Sequence, residues 1–270
     1  MTAIAERTPD LEAVKRRQQV TWASGDYAQI ATLIVPVAER LADAADLRAG
    51  WKVLDVATGS GNAAIASARL GCDVVGIDYV PALLERGRAR ASVERLDVDF
   101  VAGDAEALPF PDASFDAVLS VYGAMFAPSH RSTADELVRV ARPGGTIALA
   151  SWTPEGFLGD LFRAVSDHVP PPPGLASPMQ WGTEQHLLGL FGDAVAWRHR
   201  RRTFTFRFAS ADALVEQFVR YYGPTLKAVE AAGPALEDDL RALVHGWNRL
   251  PDGGPVAVPG TYLESIGTRA

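Results

Sequence analysis

Cysteine is almost absent from this chain of 270 residues, in which Cys72 stands alone. One thiol forms no internal disulfide, so the fold must rest on its hydrophobic core, and a reducing cytoplasm is the expected compartment. Cys72 itself reads as a small buried residue at the start of a strand. Long apolar runs are missing too. None approaches the ~18 uninterrupted apolar residues of a membrane span, and the N-terminus lacks the basic, apolar, small-residue order of a signal peptide. Positive charge is in deficit. A net charge of -7 argues against a nucleic-acid partner, which would need a basic footprint. His, Cys, Asp and Glu nowhere cluster at metal-ligand spacing, so no metal is expected.

What is present is ordinary for a globular protein: 48% hydrophobic and 22% charged residues, enough for a sizeable core. The most informative segment is Val53-Leu54-Asp55-Val56-Ala57-Thr58-Gly59-Ser60-Gly61-Asn62. An apolar run predicts a buried strand, two glycines a tight loop, and the small residues from Asn62 to Leu70 a helix. That geometry brings a ligand against backbone and a helix N-terminus. A dinucleotide turn would read G-x-G-x-x-G. Here the pattern is D-x-A-x-G-x-G, with Ile65-Ala66 where a third glycine might stand. The strand also carries Asp55, which would repel a pyrophosphate and favour a cationic group.

Further blocks follow in order. Asp73-Val74-Val75-Gly76-Ile77-Asp78 predicts a second strand ending in an acid, roughly twenty residues past the glycines, the interval at which a carboxylate reaches ribose hydroxyls. Asp99 to Ala105 reads as a third strand, Phe115 to Ser120 as a fourth, and Leu137 to Leu149 as a helix, an R-P-G-G turn and a fifth strand. The ordered set resembles the class I S-adenosylmethionine-dependent methyltransferases, most closely the small-molecule branch with the ubiquinone and menaquinone methyltransferases. The resemblance covers residues 46–152.

The resemblance implies an α/β, Rossmann-like fold with a seven-stranded, mostly parallel sheet and an antiparallel last strand. It implies S-adenosylmethionine as cofactor. Gly59 and Gly61 would approach its methionine part, Asp78 would hold the ribose and Asp104 the adenine amine. Ala57, Thr58, Asn62, Ala105 and Ser120 fall in the same blocks as candidate contacts. Tyr79 would lie beside the ribose or adenine. Asp55 would orient the loop or meet the ammonium through water, and Tyr27 could donate to the cofactor carboxylate.

Around this core the chain reads as one domain over 1–270, with a helical leader at 11–45, the cofactor core at 46–152 and a C-terminal part at 153–270. Residues 1–10 are expected to fray. The leader predicts two helices, the second running from Tyr27 to Leu41. Pro170 to Pro173 cannot be helix and predicts a rigid crossing. Val195 to Phe208 and Tyr262 to Gly267 predict an antiparallel pair closing the sheet. The helices at 211–250 then become an insertion, expected as a lid over the active site.

Methyl transfer needs the acceptor held in line with the leaving sulfur, and a neutral oxygen acceptor also needs a base. His130, just after the fourth strand, is the candidate. Trp22, Tyr122, Phe126, Trp152, Tyr221 and Tyr222 form a candidate aromatic pocket. They favour a small apolar or aromatic acceptor, its methylated atom (O, N or C) open. Ser120-Val121-Tyr122-Gly123 stands where nucleic-acid N-methyltransferases often carry an Asn/Asp-Pro-Pro-aromatic motif. Two other functions fit this stage: a nicotinamide-dependent oxidoreductase, disfavoured by the missing third glycine, and a cofactor-binding protein that transfers no methyl.

Overall fold

The computed structural model describes residues 9–270; most of the segment expected to fray, 1–8, lies outside the described residues. The leader begins with α1 (Leu11–Ala23), whose start is fixed by Asp10 accepting from the Ala13 N–H. It continues as α2 (Tyr27–Ala31), a 3-10 turn over Thr32–Ile34, and α3 (Val35–Ala44). The expected continuous helix from Tyr27 to Leu41 is thus broken. Pro36 lacks an N–H and is tolerated in a first helical turn, and α3 starts there.

Strands and helices then alternate: β1 (Lys52–Val56), α4 (Asn62–Arg69), β2 (Asp73–Asp78), α5 (Pro81–Val93), β3 (Asp99–Ala102), β4 (Phe115–Val121), α6 (His130–Val140) and β5 (Ala141–Trp152). The R-P-G-G turn is absorbed into the start of β5. Pairing with β4 jumps from Ala141 to Thr146, so residues 142–145 bulge out, with Gly144 at φ +74°. After β5 come α7 (Phe157–His168), α8 (Glu184–Phe191) and β6 (Val195–Phe208). Next are α9 (Ala211–Tyr221), α10 (Gly223–Ala232), α11 (Pro234–Trp247) and β7 (Val256–Arg269). Thr183 and Ser210 cap α8 and α9 through their side chains.

The sheet order is β3-β2-β1-β4-β5-β7-β6, all parallel except β7. Val53, Leu54, Val56, Val118, Leu119 and Ile147 are fully buried on β1, β4 and β5, as a sheet covered on both faces requires. β7 is longer than the expected 262–267. Its pairing with β5 ends at Tyr262, but its pairing with β6 continues to Val256 opposite Phe208. The two strands therefore overhang the carboxyl edge of the sheet as a ribbon, with α9–α11 at its far end. Among the described residues, no helix is long and apolar enough to cross a membrane.

Candidate functional site

The strand order reverses between β1 and β4, which opens a crevice at the carboxyl ends of the strands, the usual ligand position in doubly wound sheets. Ala57 and Tyr122, just past the ends of these two strands, both have positive φ, +53° and +59°. A Cβ on Gly123 would lie 2.2 Å from the Ala57 carbonyl oxygen. The two strand ends cross at contact distance, and the backbone is strained where the site forms.

The loop between β1 and α4 is held by two buried acids. Asp55 Oδ2 accepts from Thr58 Oγ1 at 2.6 Å and from the Ala64 N–H at 2.8 Å. Asp78 Oδ2 accepts from the Gly59 N–H, and its Oδ1 from the Val80 N–H, each at 2.9 Å. Burial raises the Asp78 carboxyl to about 6, against the lowering effect of hydrogen bonds from Val80, Gly59 and Tyr79. Burial raises Asp55 to about 7, opposed by Thr58 and Ala64 and reinforced by Asp78. Both acids line a cavity at this crevice, together with Tyr27, Ala57, Thr58, Gly59, Asn62, Tyr79, Asp104, Ala105, Trp22, Tyr122 and Phe126.

Other expected contacts fall elsewhere. Gly61 does not line the cavity. Its φ is +86°, and a Cβ there would stand 2.8 Å from Phe100 Cζ, so glycine is required by packing on the far side of the loop. Ser120 is internal: its hydroxyl donates to the Val56 carbonyl at 2.7 Å and accepts from the Ala124 N–H, tying β4 to β1. Trp152 is behind the wall, stacked on Tyr122 with centroids 3.8 Å apart. Tyr222 braces the leader from outside, with its ring 5.5 Å from Trp22 and 6.3 Å from Tyr27. Tyr221 is likewise outside both cavities.

His130 departs from expectation most. It is buried, 6% exposed, and lines a second cavity beside the first. Its Nδ1 is 2.9 Å from His186 Nε2. Burial, with His186 adding to it, lowers His130 to about 4, so the ring is neutral at neutral pH. No residue of 211–250 lines either cavity. The expected lid instead packs on the leader: a Cβ on Gly223 would meet the Thr21 carbonyl oxygen at 2.0 Å, and one on Gly25 the Tyr221 carbonyl oxygen at 2.8 Å.

The leader supplies four lining residues that the sequence pattern left unassigned, the apolar Ala31 and Ile34 and the polar Lys15 and Gln18. Lys15 Nζ reaches Asp104 Oδ2 at 2.7 Å and Glu106 at 2.8 Å. Burial alone would lower this ammonium; the hydrogen bonds to Asp104 and Glu106 more than offset it, and it is held above its ordinary range. Gln18 Nε2 donates to the Phe126 carbonyl at 3.0 Å. The signal was present in the helical spacing of Val14, Gln18 and Trp22, which puts Gln18 on the inward face.

Residues 54–149 match the family model of a methyltransferase domain. The uncharacterized protein Rv1403c of Mycobacterium tuberculosis (strain ATCC 25618 / H37Rv) is 42% identical over 234 residues, 85% of each chain. A demethylmenaquinone methyltransferase of Deinococcus radiodurans is 40% identical over 124 residues, 44% of this chain and 52% of that one. This chain belongs to the class I S-adenosylmethionine-dependent methyltransferases. The YcgJ protein of Bacillus subtilis shares the fold at 20% identity, with a TM-score of 0.60 over 86% of this chain and 97% of that one. In this methyltransferase the matched segment ends at the last residues of β5. The leader and everything after β5 lie beyond it, and the second cavity is lined partly from inside it, by Met125 to Pro128 and His130, and partly from outside, by α1 and the chain after β5.

Proposed function

We propose that the cavity at the β1–β4 crevice binds S-adenosylmethionine and that its methyl passes to a small, apolar or aromatic molecule. The observation that carries this reading is the charge of the cavity wall. Three acidic side chains, Asp55, Asp78 and Asp104, line it against one ammonium, Lys15, and a cationic ligand would favour the ionised forms of Asp55 and Asp78 that burial disfavours. Such a wall repels a pyrophosphate and attracts a ligand bearing an ammonium and a sulfonium. The fit extends to shape. Gly59, at φ +55°, turns the loop so that its backbone borders the cavity, and only the Tyr27 ring, 3.4 Å away, approaches its missing Cβ.

The cofactor, when bound, supplies a methyl on a sulfonium that leaves as a neutral thioether. The chain does the rest. Asp78 keeps a lone pair free after its amide hydrogen bonds, enough to accept from a ribose hydroxyl. Asp104 is the candidate for the adenine amine. The turn after it is not a helix, so its carboxylate is not consumed as a helix cap; it holds the Glu106 N–H and Lys15. Trp22, Tyr122 and Phe126 form an apolar wall that excludes water from the displacement. A neutral oxygen acceptor must lose its proton; His130, neutral and lining the second cavity, is the candidate base. The buried thiol of Cys72 fits the reducing cytoplasm.

Calorimetry tests the binding half. S-adenosylmethionine should bind saturably and a reduced nicotinamide dinucleotide should not. Saturable nicotinamide binding without S-adenosylmethionine binding would overturn the reading.

A further inference from the structure

The second cavity has a volume of about 460 Å³, within the range of small-molecule sites. It adjoins the first: Gln18, Phe126, Ala127 and Pro128 border both. Its walls come from α1, the turn before α6, α7 and the proline-rich crossing after α7, including Val14, Met125, Phe162, Val165, Leu175 and Met179. The lining is apolar with a cationic edge. Among the described residues no carboxylate lines it, whereas two guanidiniums do, Arg17 and Arg163. Arg163 is already paired with Asp160. Arg17 is exposed at the mouth and makes no ion pair with a described residue. Acidic side chains predominate in the first cavity, so the two adjoining cavities are electrostatically sorted across the border at Gln18 and Phe126.

We propose that this second cavity seats the methyl acceptor, and that the acceptor is an apolar small molecule bearing an anionic group. The anion lies against Arg17 at the mouth, the apolar body fills the space between α1 and α7, and the nucleophile points to the junction at Gln18 and Phe126. A buried apolar body supplies most of the attraction. The charge supplies discrimination, since an anion drawn to Arg17 is repelled by the acids of the neighbouring cavity. The inference rests on the first cavity being the cofactor site, and it explains why acceptor and cofactor would not exchange places.

Fluorescence titration with two probes of one ring system decides the matter: anilinonaphthalene sulfonate, which is anionic, and N-phenylnaphthylamine, which is neutral. The wild type should bind the sulfonate more tightly, and added salt should narrow the difference. Arg17→Gln should weaken the sulfonate about threefold to tenfold and leave the neutral probe unchanged. Ser166→Trp, or Ala176→Trp from the opposite wall, should weaken both probes by filling the space. Equal affinities in the wild type, or no effect of Arg17→Gln, would overturn the anionic class. Insensitivity of both probes to both tryptophans would remove the cavity as their site. S-adenosylmethionine binding measured on the same samples separates this outcome from a failure of the cofactor reading, which would abolish that binding and leave the probe results standing.

Discussion

The Gly59 N–H donates to Asp78 Oδ2 at 2.9 Å, across nineteen positions of sequence. One carboxylate at the end of β2 thus fixes the loop at the end of β1 and also faces the ligand cavity. Binding and loop geometry are not separable at this residue.

Asp78→Ala is therefore expected to do two things. Cofactor affinity should fall about tenfold to a hundredfold, from the loss of a charged acceptor worth roughly 1.5–3 kcal/mol. The melting temperature should fall as well, because the Gly59 and Val80 N–H groups lose their acceptor at about 1–3 kcal/mol each. Calorimetry on the folded variant and thermal unfolding read the two effects apart. A lower melting temperature with unchanged affinity would confine Asp78 to the loop.

Cofactor binding should depend on pH through the same group. Burial raises Asp78 to about 6 in the free protein, and Asp55 to about 7. Between the unfolded carboxylate range and these values the native state holds more protons than the unfolded state, so the free protein loses stability as pH rises from about 4 to about 7. Hydroxyl donors and a cationic ligand favour the ionised acids. Affinity should rise from pH 5 to pH 7 and level off above, with protons released on binding. Calorimetry in buffers of different ionisation enthalpy counts them; a flat profile would show that the acids do not change charge on binding.

Lys15 fastens the leader to the far side of the site through Asp104 and Glu106. Lys15→Ala should release α1 there. The expected result is a cofactor dissociation rate raised on the order of tenfold, the equivalent of about 1.4 kcal/mol, measured by stopped-flow displacement. An unchanged rate would mean that Lys15 only tunes the charge of the wall.

The cap at α9–α11 is expected to hold the leader. Gly223→Ala would force a methyl into the Thr21 carbonyl, an overpacking that costs about 1–3 kcal/mol and should also weaken cofactor binding, since Lys15, Gln18 and Trp22 all sit on the disturbed helix. Hydrogen exchange offers an independent view: α1, α9 and α10 should slow together when cofactor binds. Slowing of α9 and α10 alone would restore a lid acting on the site itself.

The ordered motifs made the sheet legible because each strand ends in the residues that build the crevice: Asp55 on β1, Asp78 on β2, Asp104 after β3. Their chemistry is local in sequence. Gly61 and Ser120, expected as contacts, do not line the cavity, because a motif fixes which residues lie near a ligand but not which way each faces; Phe100 and Val56 are their partners instead. Trp152 and Tyr222 have the composition of a pocket wall but stand one layer behind it. His130 pairs with His186 across 56 positions, and no local pattern carries that pairing. The second cavity was illegible for the same reason, its walls being drawn from segments far apart in the chain.

The ribbon of β6 and β7 has a consequence for how such a chain can diversify. Phe208 and Val256 are register partners, so their Cα atoms lie about 5 Å apart. Everything from 209 to 255 leaves and re-enters at one rung of a ladder. A short hairpin turn could close that rung, and so could a helical module of another size, without altering any hydrogen bond of the sheet. The overhang is thus a graft point: the catalytic floor can stay constant while the roof of the leader is exchanged as a cassette.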